Sequence, residues 1–319
     1  MSRVTVIGAG YVGLVTAGGL AQLGHQVCCI DVDAAKIDQL RSGVVPIHEV
    51  GLQELVTSGR DAGRLRFGLG HDPDDGSAEF FFVCVPTPEA SDGAADTSYL
   101  ESAATSLIPA ITSGAIIVNK STVPVGSTRL VEAILNRADV DVVSNPEFLR
   151  EGSAVQDFLH PDRIVIGAES NDAAKKVQQL YQGIDTVFLL TDSVSAELIK
   201  YAANSFLATK LSFINSVAAV CEQIGADIGD VRQGMGLDHR IGLDYLAPGP
   251  AWGGSCFPKD TGAMVRIAAD AGYDFTLVRA AIETNERQLD RVAERVVAAI
   301  ERSGAPIDRA VVCLLGIAF

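Results

Sequence analysis

The sequence predicts an α/β fold in which a doubly wound parallel sheet is followed by long helices. Short apolar runs alternate with helix-like segments in the first part of the chain, which is the pattern of a parallel sheet covered on both faces. After about residue 190 the apolar residues recur at helical spacing. We therefore predict one domain over 1–190, a helical domain over 191–303, and the first strand of a further doubly wound domain over 304–319.

Six apolar runs are predicted strands, and helical segments connect them. The first run ends in glycine, and Val12, Val15, Leu20 and Leu23 then follow at the spacing of a helix over 11–23. Parallel strands connected in this way bring their carboxyl ends to one edge of the sheet, where ligands bind. The predicted strands are RVTVIG (3–8), QVCCID (26–31), EFFFVCVP (79–86), AIIVNKS (115–121), VDVVSNP (140–146) and RIVIGA (163–168).

Two long helices are predicted after residue 190. The first extends to about residue 225, and Asp192, or Ser193 with Glu197, caps its start. A glycine- and proline-rich loop at 246–260 separates it from a second helix over 275–302. The apolar residues expected on one face of the first helix are those at 194, 198, 202, 206, 211, 214, 217, 221 and 224.

The final run, DRAVVCLLGIAF (308–319), predicts a buried strand that leads into Gly316. An isolated apolar strand has no partner to pair with or to cover it. It either extends the existing sheet or, in the interpretation that we favour, begins another βα unit of a longer protein.

Composition and charge exclude several classes of partner. With 25 Lys and Arg against 40 Asp and Glu, the formal net charge is −15, which disfavours nucleic acid because phosphates require a basic surface. The sequence has neither ~20 consecutive apolar residues nor the order of a signal peptide, so we expect no membrane partner and a cytoplasmic location. The six cysteines and five histidines are scattered, which predicts neither a disulfide framework nor a metal site.

The glycine-rich turn GAGYVG follows the first predicted strand and opens a helix. In such a Rossmann-like turn the first glycine permits the tight bend, the second admits a pyrophosphate, and the third allows close packing. Asp31 ends the second strand, where a carboxylate accepts hydrogen bonds from a ribose and repels a 2′-phosphate, which favours NAD over NADP. FAD and a turn without any ligand are the alternatives. The candidate cofactor contacts in the turn are Gly8, Gly10, Tyr11, Val12 and Gly13.

Polar residues also follow three other predicted strands. Thr87 and Thr122 stand where they can touch cofactor or substrate, although each hydroxyl can equally close a local turn. Glu147 and Glu151 are four residues apart and share one face if their segment is helical. The alternative for this pair is a solvated surface position.

The helical region contributes two further candidate groups. Lys200 and Asn204 lie one turn apart among apolar neighbours, which is compatible with a lysine against the core or a cleft and also with a lysine that reaches solvent from the helix flank. In the segment WGGSCFPKD, glycines give access to the Cys256 sulfur, Lys259 favours the thiolate, and Asp260 lies one turn beyond if a helix begins there. A buried, unreactive cysteine is the alternative.

The chain resembles the UDP-glucose/GDP-mannose dehydrogenase family. The resemblance extends from residue 4 to residue 260, and the segments NPEFLREG and GGSCFPKD are its most specific parts. HPDRIVIG and GGSCFPKDT favour UDP-glucose over GDP-mannose. The other matching segments are VIGAGYVGL, CVPTP, KSTVPVGST, ELIKYAANSF and LDHRIG.

The resemblance implies that a sugar primary alcohol is oxidised to a carboxylate in two successive steps with NAD. Cys256 is then the nucleophile, which holds the intermediate aldehyde as a thiohemiacetal and afterwards as a thioester. Lys200 stabilises an oxyanion, and Asp260 with Asn204 and Thr122 orients a water molecule.

The resemblance also implies the remaining binding residues. Glu147 and Glu151 assist substrate binding and water activation, and Arg240 reaches the substrate of a neighbouring subunit in a homodimer built on the central helices. The implied cofactor residues are Gly8, Gly10, Gly13, Asp31, Lys36, Thr87, Thr122, Glu151 and Lys259. The implied substrate residues are Glu147, Phe148, Leu149, Glu151, Lys200, Asn204, Arg240, Tyr245, Gly249 and Gly253.

Family members continue past LLGIAF into a second doubly wound domain, so we expect this chain by itself to bind NAD with little or no activity. Three alternatives remain open. The substrate is GDP-mannose or another nucleotide sugar; the chain is an inactive NAD-binding or oligomerisation fragment; or it is a hydroxyacid dehydrogenase with a similar Rossmann half and no need for Cys256.

Overall fold

Eight strands of the described residues form one sheet in the computed structural model, which describes residues 1–70, 78–88 and 95–315. The strand order is β3-β2-β1-β4-β5-β6-β7-β8, and all neighbours are parallel except β6 and β7, which meet antiparallel at Ser144 and Gly167. The strands are β1 (Arg3–Ile7), β2 (Gln26–Asp31), β3 (Leu65–Leu69), β4 (Phe80–Val83), β5 (Ile116–Asn119), β6 (Asp141–Ser144), β7 (Arg163–Gly167) and β8 (Val187–Thr191).

Both faces of the sheet are buried except along the edge strand β8. Alternating side chains such as Val6 and Ile7 enter separate apolar cores, as expected when successive residues of a strand point to opposite faces. The first core includes residues of α1, α2, α3, α6 and α7, and the second includes residues of α4 and α5. These helices are α1 (Tyr11–Gln22), α2 (Ala34–Ser42), α3 (Leu52–Asp61), α4 (Ser98–Leu107), α5 (Ser127–Leu135), α6 (Ala154–Leu159) and α7 (Asn171–Leu180).

The described residues form two units, one reaching Lys200 and the other beginning at Tyr201. The boundary falls inside the long helix α8, and the three predicted domain ranges stay predictions. The second unit is helical. Its elements after α8 (Ser193–Ile224) are α9 (Ile228–Gly236), α10 (Phe257–Asp270) and α11 (Thr276–Ser303), and a short 3-10 helix covers Ile307–Arg309.

The predicted apolar face of α8 is partly wrong. Phe206 and Ile224 are 65% and 72% exposed, whereas Glu197, Lys200 and Asn204 are buried. These polar side chains are buried because they have hydrogen-bond partners on other elements, namely the start of α5, the segment after β6 and the first turn of α10, which apolar periodicity does not reveal. The start of the helix follows one of the two proposed alternatives, since the Asp192 carboxylate accepts from the Ser195 amide at 2.8 Å.

The predicted buried strand over 308–319 is not formed in the part of it that the structure describes. Residues 310–315 have no strand conformation, and Val311 and Leu315 are more than 90% exposed. No described strand pairs with this segment, and an apolar run without a pairing strand gains no ladder hydrogen bonds. Residues 316–319, including Gly316, lie outside the described residues.

Candidate active site

The glycine-rich turn joins β1 to α1, and its three glycines differ in what surrounds them. A Cβ on Gly8, whose φ is +98°, would lie 2.5 Å from the Cys84 carbonyl oxygen, and one on Gly13 would lie 1.8 Å from the Gly8 oxygen. A Cβ on Gly10 would meet nothing within 4 Å. Packing therefore requires the first and third glycines, whereas the second faces open space. Such space, next to the amide groups that a helix leaves unbonded in its first turn, fits a pyrophosphate.

Asp31 at the end of β2 is tied to this turn. Its Oδ2 accepts the Ala9 amide at 2.8 Å and the Lys36 ammonium at 3.0 Å, and its Oδ1 accepts the Asp33 amide at 2.9 Å. Burial favours the neutral acid, but the amides of Asp33 and Ala9 and the Lys36 charge outweigh it, so the pKa of Asp31 is lowered. Asp31 is thus an ionised acceptor beside the glycine turn, as ribose recognition requires.

The phenol of Tyr11 is engaged by a residue that the sequence analysis missed. Tyr11 Oη donates to Glu49 Oε2 at 2.5 Å and lies 3.2 Å from the Arg150 carbonyl oxygen. Glu49, only 7% exposed, also accepts the amides of Gly152 and Ala154. Glu49 cannot be predicted from a local motif, because its hydrogen-bond partners lie 38 to 105 residues away along the chain.

The loops after β4 and β5 meet at the predicted threonines. Thr87 Oγ1 donates to the Thr122 carbonyl oxygen at 2.8 Å, so the Thr87 hydroxyl closes a contact between two loops. The loop that carries Thr122 is further held by Glu197, whose carboxylate accepts from the Gly126 amide and from both the amide and the hydroxyl of Thr128. Glu197 therefore holds the start of α5 rather than capping its own helix.

Glu147 forms a buried ion pair with Lys200. Glu147 Oε1 accepts from Lys200 Nζ at 2.8 Å, and their side chains are only 6% and 4% exposed. Burial favours the neutral acid, but the charge and hydrogen bond of Lys200 and the Leu149 amide prevail and lower the pKa of Glu147. The Phe148 ring lies 5.5 Å from Lys200 Nζ and stacks under Arg163 at 3.8 Å. A carboxylate, an ammonium and an aromatic ring thus meet in one place.

The expected shared helix face of Glu147 and Glu151 is wrong, since residues 145–150 are not helical. Pro146 has no amide hydrogen, Glu147 Oε2 accepts the nearby Leu149 amide at 2.6 Å, and Gly152 adopts a φ of +90°. These features favour an irregular segment. Glu147 is buried, and Glu151 is exposed in the turn that precedes α6.

A second buried lysine, Lys120, also escaped the sequence analysis. Lys120 Nζ donates to the backbone and side-chain oxygens of Asn145 at 3.3 and 3.2 Å, and Tyr181 Oη donates to the same side-chain oxygen. Burial is the main cause that lowers the pKa of Lys120 to about 8. This network holds the end of β6, immediately before Glu147.

In the second unit, Cys256 precedes α10 directly, and Asp260 lies one turn along that helix. The Asp260 amide donates to the Cys256 carbonyl oxygen at 2.9 Å, as predicted for a helix beginning here. The Asp260 carboxylate is fully buried and accepts from Asn204 Nδ2 and Lys259 Nζ, each at 2.6 Å. Cys256 itself is partly exposed. The arrangement combines an accessible thiol, a helix N-terminus and a buried carboxylate that accepts two hydrogen bonds.

The loop before Cys256 is held by polar side chains of α8 and α11. Asn285 exchanges two hydrogen bonds with the backbone of Trp252, and Asn215 accepts the Gly249 amide at 2.8 Å. Both asparagines are buried. In the sequence, they could be found only as amide side chains on the buried face of an amphipathic helix, where a polar group needs a hydrogen-bond partner. A Cβ on Gly249 or Gly253 would meet nothing within 4 Å, so both border open space.

Tyr245 and Arg240 lie on the same unit. Tyr245 has a positive φ of 58° and packs edge-on against Phe257 with ring centroids 6.1 Å apart. Arg240 is an exposed residue whose guanidinium forms a two-pronged ion pair with Asp238. In the described part of the chain no helix is long and apolar enough to cross a bilayer, and no cluster of three potential metal ligands occurs.

Family models match both parts of the chain. Residues 2–185 match the UDP-glucose/GDP-mannose dehydrogenase family, NAD binding domain, and residues 194–287 match the central domain of the same family. The prediction of an NAD-binding domain is confirmed by the first match.

Individual relatives agree with these matches. The UDP-glucose 6-dehydrogenase YwqF of Bacillus subtilis is 43% identical over 99% of this chain and 72% of its own length. The solved UDP-glucose dehydrogenase of Pyrobaculum islandicum is 40% identical with a TM-score of 0.87, over 95% of this chain and 72% of that one. The GDP-mannose dehydrogenase of Pseudomonas aeruginosa is 30% identical with a TM-score of 0.71, over 93% and 71%. The predicted α/β fold is confirmed by these neighbours.

Proposed function

Because this chain belongs to the UDP-glucose/GDP-mannose dehydrogenase family, we propose that it oxidises the C6 alcohol of UDP-glucose to the carboxylate of UDP-glucuronate. The observation that carries the choice of sugar is the greater identity to a UDP-glucose dehydrogenase, 40%, than to a GDP-mannose dehydrogenase, 30%, over similar shares of the chain. The enzyme is NAD-dependent, as the match to the NAD binding domain states.

The glycine turn and Asp31 are proposed to hold the cofactor. Gly8 and Gly13 shape the turn, Gly10 leaves room for the pyrophosphate, and the first turn of α1 offers amides to it. Asp31 accepts hydrogen bonds from the ribose. When bound there, NAD+ would supply the hydride acceptor for the two oxidations. Lys36, Thr87, Thr122, Glu151 and Lys259 complete the proposed cofactor set.

Cys256 is proposed to hold the half-oxidised sugar. Its thiolate adds to the aldehyde carbon, the carbonyl electron pair moves to oxygen, and the product is the alkoxide form of a thiohemiacetal. After the second oxidation the same sulfur carries a thioester, which water cleaves to release the acid and the thiolate. The helix N-terminus at Cys256 supports this role, because it stabilises negative charge on sulfur.

The buried polar groups are proposed to move protons and stabilise charge. Asp260, held by Asn204 and Lys259, accepts a proton from the attacking water, and Lys200 stabilises an alkoxide. The substrate is proposed to contact Glu147, Phe148, Leu149, Glu151, Tyr245, Gly249 and Gly253.

We also propose that the chain forms a homodimer through α8. Phe206, Phe213 and Val220 recur every seven residues along the helix and are 65%, 54% and 56% exposed. A row of exposed apolar side chains along one side of a helix favours an interaction surface. In such a dimer the exposed Arg240 is proposed to reach the substrate of the other subunit.

The proposal is tested by NADH release from UDP-glucose and from GDP-mannose, with Cys256→Ser as the variant. The assay uses a protein that includes this chain and has the full length of the relatives, because this chain by itself is expected to bind NAD with little or no turnover. We expect two NADH per UDP-glucose, little from GDP-mannose, and no acid from Cys256→Ser. A matched control is Cys221→Ser, at a buried cysteine on α8. One NADH per sugar, or two-step turnover in Cys256→Ser, would contradict the covalent route, and NAD binding without NADH would indicate an inactive fragment.

A further inference from the structure

Glu49 is a buried carboxylate that serves segments far from it in the sequence. It lies in the loop between α2 and α3 and is 7% exposed, and no ion pair within the described residues includes it. Its oxygens instead accept the Tyr11 hydroxyl at 2.5 Å, the Gly152 amide at 2.7 Å and the Ala154 amide at 3.0 Å. Desolvating a carboxylate costs free energy unless such donors replace water, so these three bonds hold Glu49 in place.

The amides that Glu49 accepts belong to the start of α6. Ser153, the residue before this helix, makes no side-chain cap, and the first amides of a helix lack partners within the helix. Glu49 supplies acceptors to Gly152 and Ala154 from a distant loop. Together with Asp157, which accepts the Arg150 amide at 2.8 Å, it therefore holds the turn at 150–153, in which Glu151 stands immediately before Gly152.

The third donor belongs to the cofactor turn. Tyr11 opens α1 directly after Gly10, and its hydroxyl also approaches the Arg150 carbonyl oxygen at 3.2 Å. Burial, then the hydrogen bond and charge of Glu49, and the charge of Glu151 raise the pKa of Tyr11 well above its ordinary value, so the phenol remains a donor. One carboxylate thus joins the glycine turn to the turn that carries Glu151.

We propose that Glu49 is a positioning residue that sets the place of Glu151 relative to the glycine-rich cofactor turn. This inference rests on the proposed function, because it gives Glu151 a purpose at the cofactor. Glu49 acts through Tyr11 and through the amides of Gly152 and Ala154. In Glu49→Gln one acceptor oxygen becomes an NH2 group, which faces at least one of the three donors and cannot accept from it.

The first measurement is amide hydrogen exchange in the ligand-free chain. We expect exchange at Gly152 and Ala154 to accelerate about tenfold or more in Glu49→Gln, while the amides of β1 and β4 keep their wild-type rates. Glu54→Gln, an exposed glutamate on the adjacent α3, is the matched control and should change neither. Unchanged exchange at Gly152 and Ala154 in Glu49→Gln overturns the proposal.

The second measurement separates positioning from stability. We expect the kcat for NADH formation from UDP-glucose to fall about ten- to hundredfold in Glu49→Gln, or the Kd for NAD+ to rise by a similar factor, because small misplacements near reacting groups are costly. Faster exchange with wild-type kcat and Kd overturns the proposal and leaves Glu49 a purely structural role.

If Glu49→Gln does not fold, Tyr11→Phe removes one of the three bonds and is assayed in the same way. Exchange at Gly152 and Ala154 is then expected to accelerate less than tenfold, with a change in NAD+ Kd, and the absence of both effects overturns the proposal. If a wild-type protein of the relatives' full length releases no NADH from UDP-glucose, the proposed function fails, but exchange and NAD+ affinity still decide the role of Glu49.

Discussion

Two lysine–carboxylate ion pairs have their carboxylates at the ends of strands of the same sheet. The pairs differ in burial and hardly in the distance between nitrogen and oxygen. Asp31–Lys36 spans 3.0 Å, with the lysine side chain 29% exposed, and Glu147–Lys200 spans 2.8 Å, with both side chains at 6% exposure or less. Similar distances therefore correspond to different energies. Water reaches the Lys36 side chain of the first pair, whereas loss of one partner of the second leaves a charge in a dry site.

The largest effect is expected from Lys200→Met. The variant strands the Glu147 carboxylate in the interior, so the free energy of unfolding should fall by about 3–5 kcal/mol. Urea unfolding measures this change. The double variant Glu147→Gln with Lys200→Met removes both charges and should recover part of the loss. An equal decrease in the free energy of unfolding in Lys200→Met and Lys36→Met would show that burial does not determine how much each ion pair contributes to stability.

A smaller, pH-dependent effect is expected from Lys120, a buried lysine bonded to neutral oxygens instead of a carboxylate. Its pKa is about 8 in the folded chain against an ordinary 10.5, so the folded state loses its proton first as pH rises. Stability of the wild type relative to Lys120→Met should therefore increase with pH, by about 2 kcal/mol between about pH 8 and about pH 10. Parallel unfolding curves at all pH values would contradict a buried, charged Lys120.

The smallest effect is expected from Lys36→Met. Because the pair with Asp31 is partly solvated, its loss should lower the free energy of unfolding by less than about 1 kcal/mol. Salt screens exposed charges, so raising NaCl to about 1 M should shrink that difference further. If Lys36→Met lowered the free energy of unfolding as much as Lys200→Met does, and independently of salt, the Asp31–Lys36 pair would behave as a buried ion pair.

The strands and the glycine turn were predictable because their signals are local. Apolar runs such as that of β1, and glycines directly after a strand, form patterns that span only a few consecutive residues, although the contact that requires Gly8 is with the distant Cys84. β3 and β8 escaped prediction, since LRFGL contains an arginine and a glycine, and VFLLT forms a largely exposed edge.

The polar supports of the candidate site were less accessible to prediction. Glu49, Lys120 and Asn145 act through hydrogen bonds to residues remote in sequence, which no period or short motif encodes. The same reason explains the error on α8. Glu197 and Lys200 are charged residues that the apolar pattern assigns to solvent, and residues remote in sequence, at the start of α5 and after β6, give them buried partners.

The crowding around two of the three turn glycines bears on how such motifs change over evolutionary time. A side chain at Gly8 or Gly13 collides with the protein's own backbone whether or not a nucleotide is present. A descendant that lost its ligand would still retain both. At position 10 only the ligand excludes a side chain, so this constraint disappears when the ligand is lost. Among related sequences, replacement of the middle glycine is therefore the change that indicates loss of cofactor binding.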